Sequence, residues 1–137
     1  MTKTIPAASR ERDPEARKKR ILTAAGAVFA KGGFAAGSVR EISRKARVNV
    51  ASINYYFGSK EGLYRQVLVA SHQQALQQER PVTLEEGRDA REAMGMWIAF
   101  CLRFVLLKRP SHPVLGKLMA HEMRQPTAAL SELVMLV

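Results

Sequence analysis

Cysteine is almost missing from this chain, and its scarcity removes several classes of protein at once. Cys101 is the only one, so neither an intrachain disulfide framework nor a cysteine-based zinc site can be built, and a reducing compartment suits it. The three histidines, His72, His112 and His121, are scattered. With Cys101 set in an apolar stretch they suggest neither a metal cluster nor an activated nucleophile, so no catalytic residue, no metal and no cofactor are expected. Long apolar runs are lacking too: the longest, Met94 to Leu107, is interrupted by Gly95 and Arg103 and falls short of the roughly 20 residues that span a bilayer. The N-terminus has no apolar core of a secretory leader. These absences make a cytoplasmic protein without a membrane partner the expectation.

Acidic residues are also few, 12 against 22 Lys and Arg. The resulting charge of +10 is uneven, because residues 1–62 hold 13 basic and 5 acidic side chains and therefore +8 of it. Such a head suits a polyanion, and each cation that neutralises a phosphate makes binding steeper in salt. A membrane surface is the competing polyanion, but the basic residues form no single stripe opposite a broad apolar face.

What the chain does have is helical periodicity throughout and no strand alternation, which makes it all-α. Residues 1–13 lack periodicity and are expected to be a flexible basic arm. Asp13 is a candidate N-cap and Pro14 fits the first turn of a helix running to about Lys31, where Gly32 and Gly33 stop it. The Arg17-Lys18-Lys19-Arg20 run reads as its solvated side, a phosphate contact being the alternative.

The stretch from Ser38 to Leu63 carries the main signal. Ser38 and Glu41 form a capping box at the start of a short helix. Ile42, Ala46 and Val48 face Ile53 and Phe57 of a second short helix across a tight turn, so one apolar seam can hold the pair together. With Ile53 taken as inward, Ala51, Ser52, Asn54 and Tyr55 point away from the seam at 100° per residue. That is the layout of a helix-turn-helix DNA reader. Ser59 and Gly62 then open a connecting helix to about Arg80, ended by Pro81.

Beyond it, Thr83 and Glu86 give another capping signature, and a helix with Ala93, Trp97, Phe100, Cys101, Phe104 and Leu107 is apolar around most of its circumference, as a central bundle helix would be. A break at Pro110 to Pro113 separates it from a helix carrying Leu115, Leu118, Met119, His121, Glu122 and Met123. Pro126-Thr127 precedes a last helix from about Ala128, with a stripe of Leu130, Leu133, Val134 and Val137. That stripe is expected to pack into its own body or against another subunit.

Ser38, Ile42, Ala46, Val48, Ile53, Tyr55, Tyr56, Phe57 and the tail Ser59-Lys60-Glu61-Gly62-Leu63 resemble the TetR family of bacterial transcriptional regulators. The likeness covers about residues 17–68 and includes Ile21, Ala25, Val28, Phe29 and the Gly32-Gly33-Phe34 turn. Ala51 and Asn54 depart from the family's frequent Gly and Tyr, so no operator preference is carried over. The His112-Pro113, His121-Glu122 and Pro126-Thr127 pattern is similar to one TetR subgroup with its own C-terminal domain.

The resemblance implies a three-helix DNA-binding head over residues 14–62 and a helical ligand-binding and dimerisation domain over 63–137, incomplete relative to the family; the alternative is a chain ending in a short packed helix. It further implies a ligand-responsive repressor that binds double-stranded DNA at a palindromic operator as a homodimer. A sequence-tolerant architectural DNA binder is the rival reading, and an enzyme a remote one.

Candidate DNA contacts follow residue by residue. Arg40 can fork onto guanine and Asn54 can bond adenine, while Ala51 and Val50 can meet a thymine methyl and Ser52 allows close approach. Tyr55, Tyr56 and Lys60 match phosphate-touching positions of the family, with Tyr56 also a packing candidate, and Ser38 adds a helix N-terminus. Met94, Trp97, Phe100, Cys101, Phe104, Met119 and Met123 are the candidates for lining a cavity for a small apolar or amphipathic effector, ordinary core being the alternative. His121 and Glu122 are 100° apart on their helix and read as structural.

Overall fold

Asp13 opens the first helix as predicted: its carboxylate accepts from Glu15 N at 3.0 Å, and Pro14 fills the first turn. The computed structural model describes residues 13–78, 89–106 and 113–135, with the backbone alone for residues 100, 101 and 103–106. Seven helices run through these residues: α1 Pro14–Ala36, α2 Val39–Ala46, α3 Val50–Phe57, α4 Lys60–Gln78, α5 Ala90–Leu106, α6 Pro113–Arg124 and α7 Ala128–Met135. No strand occurs among the described residues, in keeping with the all-α reading. Residues 1–12 of the predicted 1–13 arm, the Pro81 stop, the Thr83-Glu86 signature and residues 110–112 of the predicted break lie outside them, as do Leu107, Val137 and the side chains of Phe100, Cys101 and Phe104.

The head's core forms along the predicted seams. Ile21, Ala25, Val28 and Phe29 of α1 are buried against Ile42 and Ala46 of α2 and Ile53 of α3, and Leu63, Tyr64, Val67 and Leu68 of α4 close the cluster. Each large apolar side chain so buried is worth about 1.5–3 kcal/mol. Leu115 and Leu118 are buried on α6, which packs on both α1 and α4, while α7 packs on α4. The body is thereby joined to the head directly.

Gly33 is a break, as predicted, but the chain regains helical form beyond it and α1 reaches Ala36. Gly33 has φ 79° and ψ −177°, a region that only glycine enters without strain. A Cβ there would stand 3.0 Å from His121 Nδ1. Glycine is thus required both by the backbone turn and by the closeness of α6.

Two further expectations concern the apolar helices. The apolar stripe of the last helix is divided: Leu133 is buried against the protein and Leu130 half-buried, whereas Val134 is exposed, because α7 turns a single edge toward α4. The apolar helix expected at the centre of a bundle, α5, packs extensively on no other described helix, and Met94 and Trp97 are 58% and 55% exposed.

Candidate nucleic-acid interface

Local chemistry sets the two helices of the motif. Ser38 Oγ accepts from Glu41 N at 3.4 Å, the forward half of the predicted capping box. Arg47 ends α2 in the left-handed conformation, φ 56° and ψ 48°, with Val48 N donating to Ser43 O at 3.0 Å. This is a Schellman turn, whose left-handed position is ordinarily glycine. Asn49 then caps α3, its Oδ1 accepting from both Ser52 N and Ser52 Oγ at 2.7 Å.

With Ile53 buried, the face predicted for DNA is the outer one. Ala51, Asn54 and Tyr55 are exposed, Tyr55 to 83%. Val50 is exposed at the first turn, and Ser52 is half-buried with its hydroxyl spent on Asn49. Tyr56 is partly buried against the core, which favours the packing role weighed for it; its ring meets Tyr55 edge-on at 5.2 Å. Arg40 is exposed in the first turn of α2, close in sequence to the Ser38 cap. Ser38, Arg40, Ala51, Asn54 and Tyr55 are therefore each accessible on the motif's two helices.

Lys60 is not a free cation. Its Nζ donates to Ala35 O at 3.3 Å and lies 4.6 Å from the centre of the Phe34 ring, so it ties the start of α4 to the end of α1. An ammonium has three donors, which leaves it able to meet a phosphate while tethered.

Sequence reasoning missed two clusters. A cleft of about 230 Å³ beside the turn is lined by Arg17, Arg20, Arg47, Val48, Asn49 and Ser52; the run of basic residues in α1 and Arg47 were visible, but not that they converge. At the joint between head and body, the buried Glu122 accepts from Tyr64 Oη at 2.6 Å, Thr127 N at 2.8 Å and Thr127 Oγ1 at 2.9 Å. Burial foremost, then the bond to this carboxylate and its charge, push the Tyr64 hydroxyl well above its ordinary pKa. His121 bonds Ala30 O through Nε2 at 3.0 Å and meets Arg124 through Nδ1 at 3.2 Å. Arginine can only donate, so Nδ1 is the acceptor and the Nε2–H tautomer donates to Ala30. The His-Glu and Pro-Thr pattern is thus structural, as the 100° argument held for His121 and Glu122.

Of the predicted effector residues, Phe100, Cys101 and Phe104 have side chains outside the described residues. Met94 and Trp97 face outward on α5, Met123 is 86% exposed on α6, and Met119 packs against the head's core. The reason is the lack of a covering neighbour for α5 among the described residues. No grouping of three or more potential metal ligands occurs among the described residues, and no described helix is long and apolar enough to cross a membrane.

Two short helices joined by a tight turn, buttressed by a third and presenting an exposed polar face in a basic head, define a helix-turn-helix head. Residues 21–67 match the family model of bacterial regulatory proteins, tetR family. Over these residues the head is similar to the DNA-binding part of that family. It is 36% identical over 91 residues to the HTH-type transcriptional repressor NicS of Pseudomonas putida, covering 66% of this chain and 42% of that protein. It is 46% identical over 57 residues to the repressor SCO4008 of Streptomyces coelicolor, covering 42% and 30%. The chain therefore spans less than half the length of these curated relatives. Among solved structures, HlyIIR, a hemolysin II transcriptional regulator, is 26% identical with a TM-score of 0.61, over 88% of this chain and 64% of that one. A TetR-like regulator from Rhodococcus sp. RHA1 shares the fold, with a TM-score of 0.56 at 23% identity over 97% of this chain and 69% of that one.

Proposed function

We propose that this chain acts in transcriptional regulation, as a repressor that binds a palindromic operator in double-stranded DNA as a homodimer. The observation that carries this reading is the outer face of α3: Ile53 is buried while Asn54 and Tyr55 beside it are exposed, so base-reading groups are held on a helix fixed from behind. Arg40, Asn54, Ala51 and Val50 read bases, Ser52 allows close approach, and Ser38, Tyr55, Tyr56 and Lys60 position the head on the backbone. Ligand response belongs to the same proposal. A small apolar or amphipathic effector taken by the Met94 and Trp97 face of α5 would shift the spacing of two heads by its differential affinity for two conformations. The cytoplasm is the compartment in which such a protein meets DNA.

Selection of binding sites from random duplexes, followed by titration of the selected and random sequences at matched salt, tests the reading. A palindromic consensus bound two-to-one and at least 10³-fold above random DNA supports it. Equal binding of both duplexes overturns specific regulation in favour of an architectural DNA binder.

A further inference from the structure

Arg47 occupies a backbone conformation that suits glycine, and the other described residues with positive φ, Gly33 and Gly58, are glycines. Among the described residues Arg47 is the sole non-glycine with positive φ. An arginine kept where glycine fits without strain points to work done by its side chain. That side chain lines the 230 Å³ cleft with Arg20 and Arg17 from α1, and no carboxylate is among the described residues that line it. Asn49 has already satisfied the amide and hydroxyl of Ser52, so the donors offered to an incoming anion are the guanidinium groups of Arg20 and Arg47, which match phosphate oxygens in pairs. The cleft also adjoins Asn49 and Ser52 at the start of α3, the helix whose outer face was assigned to bases.

From this we infer that Arg47 and Arg20, with Arg17 beside them, clamp one phosphodiester of the DNA backbone flanking the recognition helix. The clamp holds α3 in register without reading sequence. This inference rests on the DNA-binding reading of the head and adds to it a backbone site apart from Lys60.

The test uses the full 137-residue chain, with duplexes carrying the selected site or random sequence titrated across potassium chloride. Arg47→Gly relieves the left-handed arginine, so its melting temperature should equal or exceed that of the parent chain. Its affinity for both duplexes should nevertheless fall by the same factor, about five-fold per subunit at 0.15 M salt, with the salt slope reduced by about 1 per subunit. Arg47→Lys should recover most of the slope. Arg20→Ala should act likewise, and the double variant should lose less than the product of the single losses, because both side chains serve one phosphate. A gain in stability together with a loss of affinity is a combination that a merely structural arginine does not produce.

An Arg47→Gly chain with unchanged affinity and slope overturns the clamp while leaving the DNA-binding reading intact. A loss confined to one base position overturns it in favour of base reading. Saturable binding of inorganic phosphate that Arg47→Gly abolishes, with duplex affinity unmoved, assigns the cleft to a free anion and overturns it too. A parent chain that binds neither duplex overturns both readings together.

Discussion

The Tyr64 hydroxyl donates to Glu122 Oε1 at 2.6 Å, joining residues 58 positions apart. Tyr64 is also a member of the head's core, its ring meeting Phe29 edge-on at 5.0 Å, while Glu122 lies on α6 and holds Thr127 beyond it. One phenol therefore belongs to the packing of the DNA-binding head and to the polar anchor of the body. Any shift of α6 relative to α4 strains this bond.

That bond gives stability an alkaline limit. Because the folded state raises the Tyr64 pKa above its ordinary value of 10.0, the folded chain keeps a proton that the unfolded chain releases. The contribution is complete below about pH 10 and declines above it, by about 1.4 kcal/mol per pH unit up to the folded-state pKa. Urea melts between pH 8 and 11.5 should show this decline in the parent chain, and Tyr64→Phe should lack that component. Parallel pH profiles for the two chains would show that Tyr64 titrates alike in both states.

Removing the acceptor tests the same anchor from the other side. Glu122→Ala leaves Tyr64 Oη and Thr127 N without their partner and should cost about 2–3 kcal/mol. Glu122→Gln keeps one carbonyl acceptor and should cost about 1 kcal/mol. Equal losses in chemical denaturation would mean that packing volume, and not acceptance of these bonds, is what the glutamate contributes.

How far the sequence discloses such features depends on the reach of the interaction. The caps at Asp13 and Ser38 and the seam of Ile42, Ala46 and Ile53 are legible because partners lie within a few residues and periodicity aligns them. The His121-Glu122 and Pro126-Thr127 pattern is visible, yet its role is not, since Tyr64 sits on another helix. Lys60 reads in the sequence as a phosphate contact, and its tie to Ala35 arises only because α1 ends beside α4. The Met94 and Trp97 face shows the converse error: apolar residues on every side of a helix report a demand for burial, and only tertiary packing decides whether a neighbour meets it.

Gly33 offers a test in which backbone and packing separate. Gly33→Ala places a methyl 3.0 Å from His121 Nδ1 in a conformation with φ 79°, and should cost about 1–3 kcal/mol from the backbone together with whatever displacement of the imidazole adds. Adding His121→Ala removes the close approach but not the dihedral strain. In thermal melts the double variant should therefore lose less than the sum of the two single losses, while remaining below His121→Ala alone. Strict additivity would show that the methyl and imidazole do not compete for space.

Arg40 and Lys60 separate base reading from positioning. Arg40 is exposed and its backbone carbonyl accepts from Ser43 Oγ at 2.9 Å, so Arg40→Ala leaves the turn of α2 intact and removes only the reaching guanidinium. Selected sites for that variant should lose preference at one base pair, with affinity for the parent operator down by about 1–3 kcal/mol. Lys60→Ala should instead weaken all duplexes nearly equally and lower the salt slope by about 1 per subunit. Because Lys60 also holds Ala35 O and the Phe34 ring, the same substitution should cost about 0.5–1 kcal/mol of stability. Should stability fall while the salt slope stays unchanged, Lys60 is a tether between α1 and α4 and makes no phosphate contact. An unchanged base preference in Arg40→Ala would likewise confine Arg40 to the backbone or to solvent, leaving Asn54 as the remaining polar base reader on the exposed face of α3.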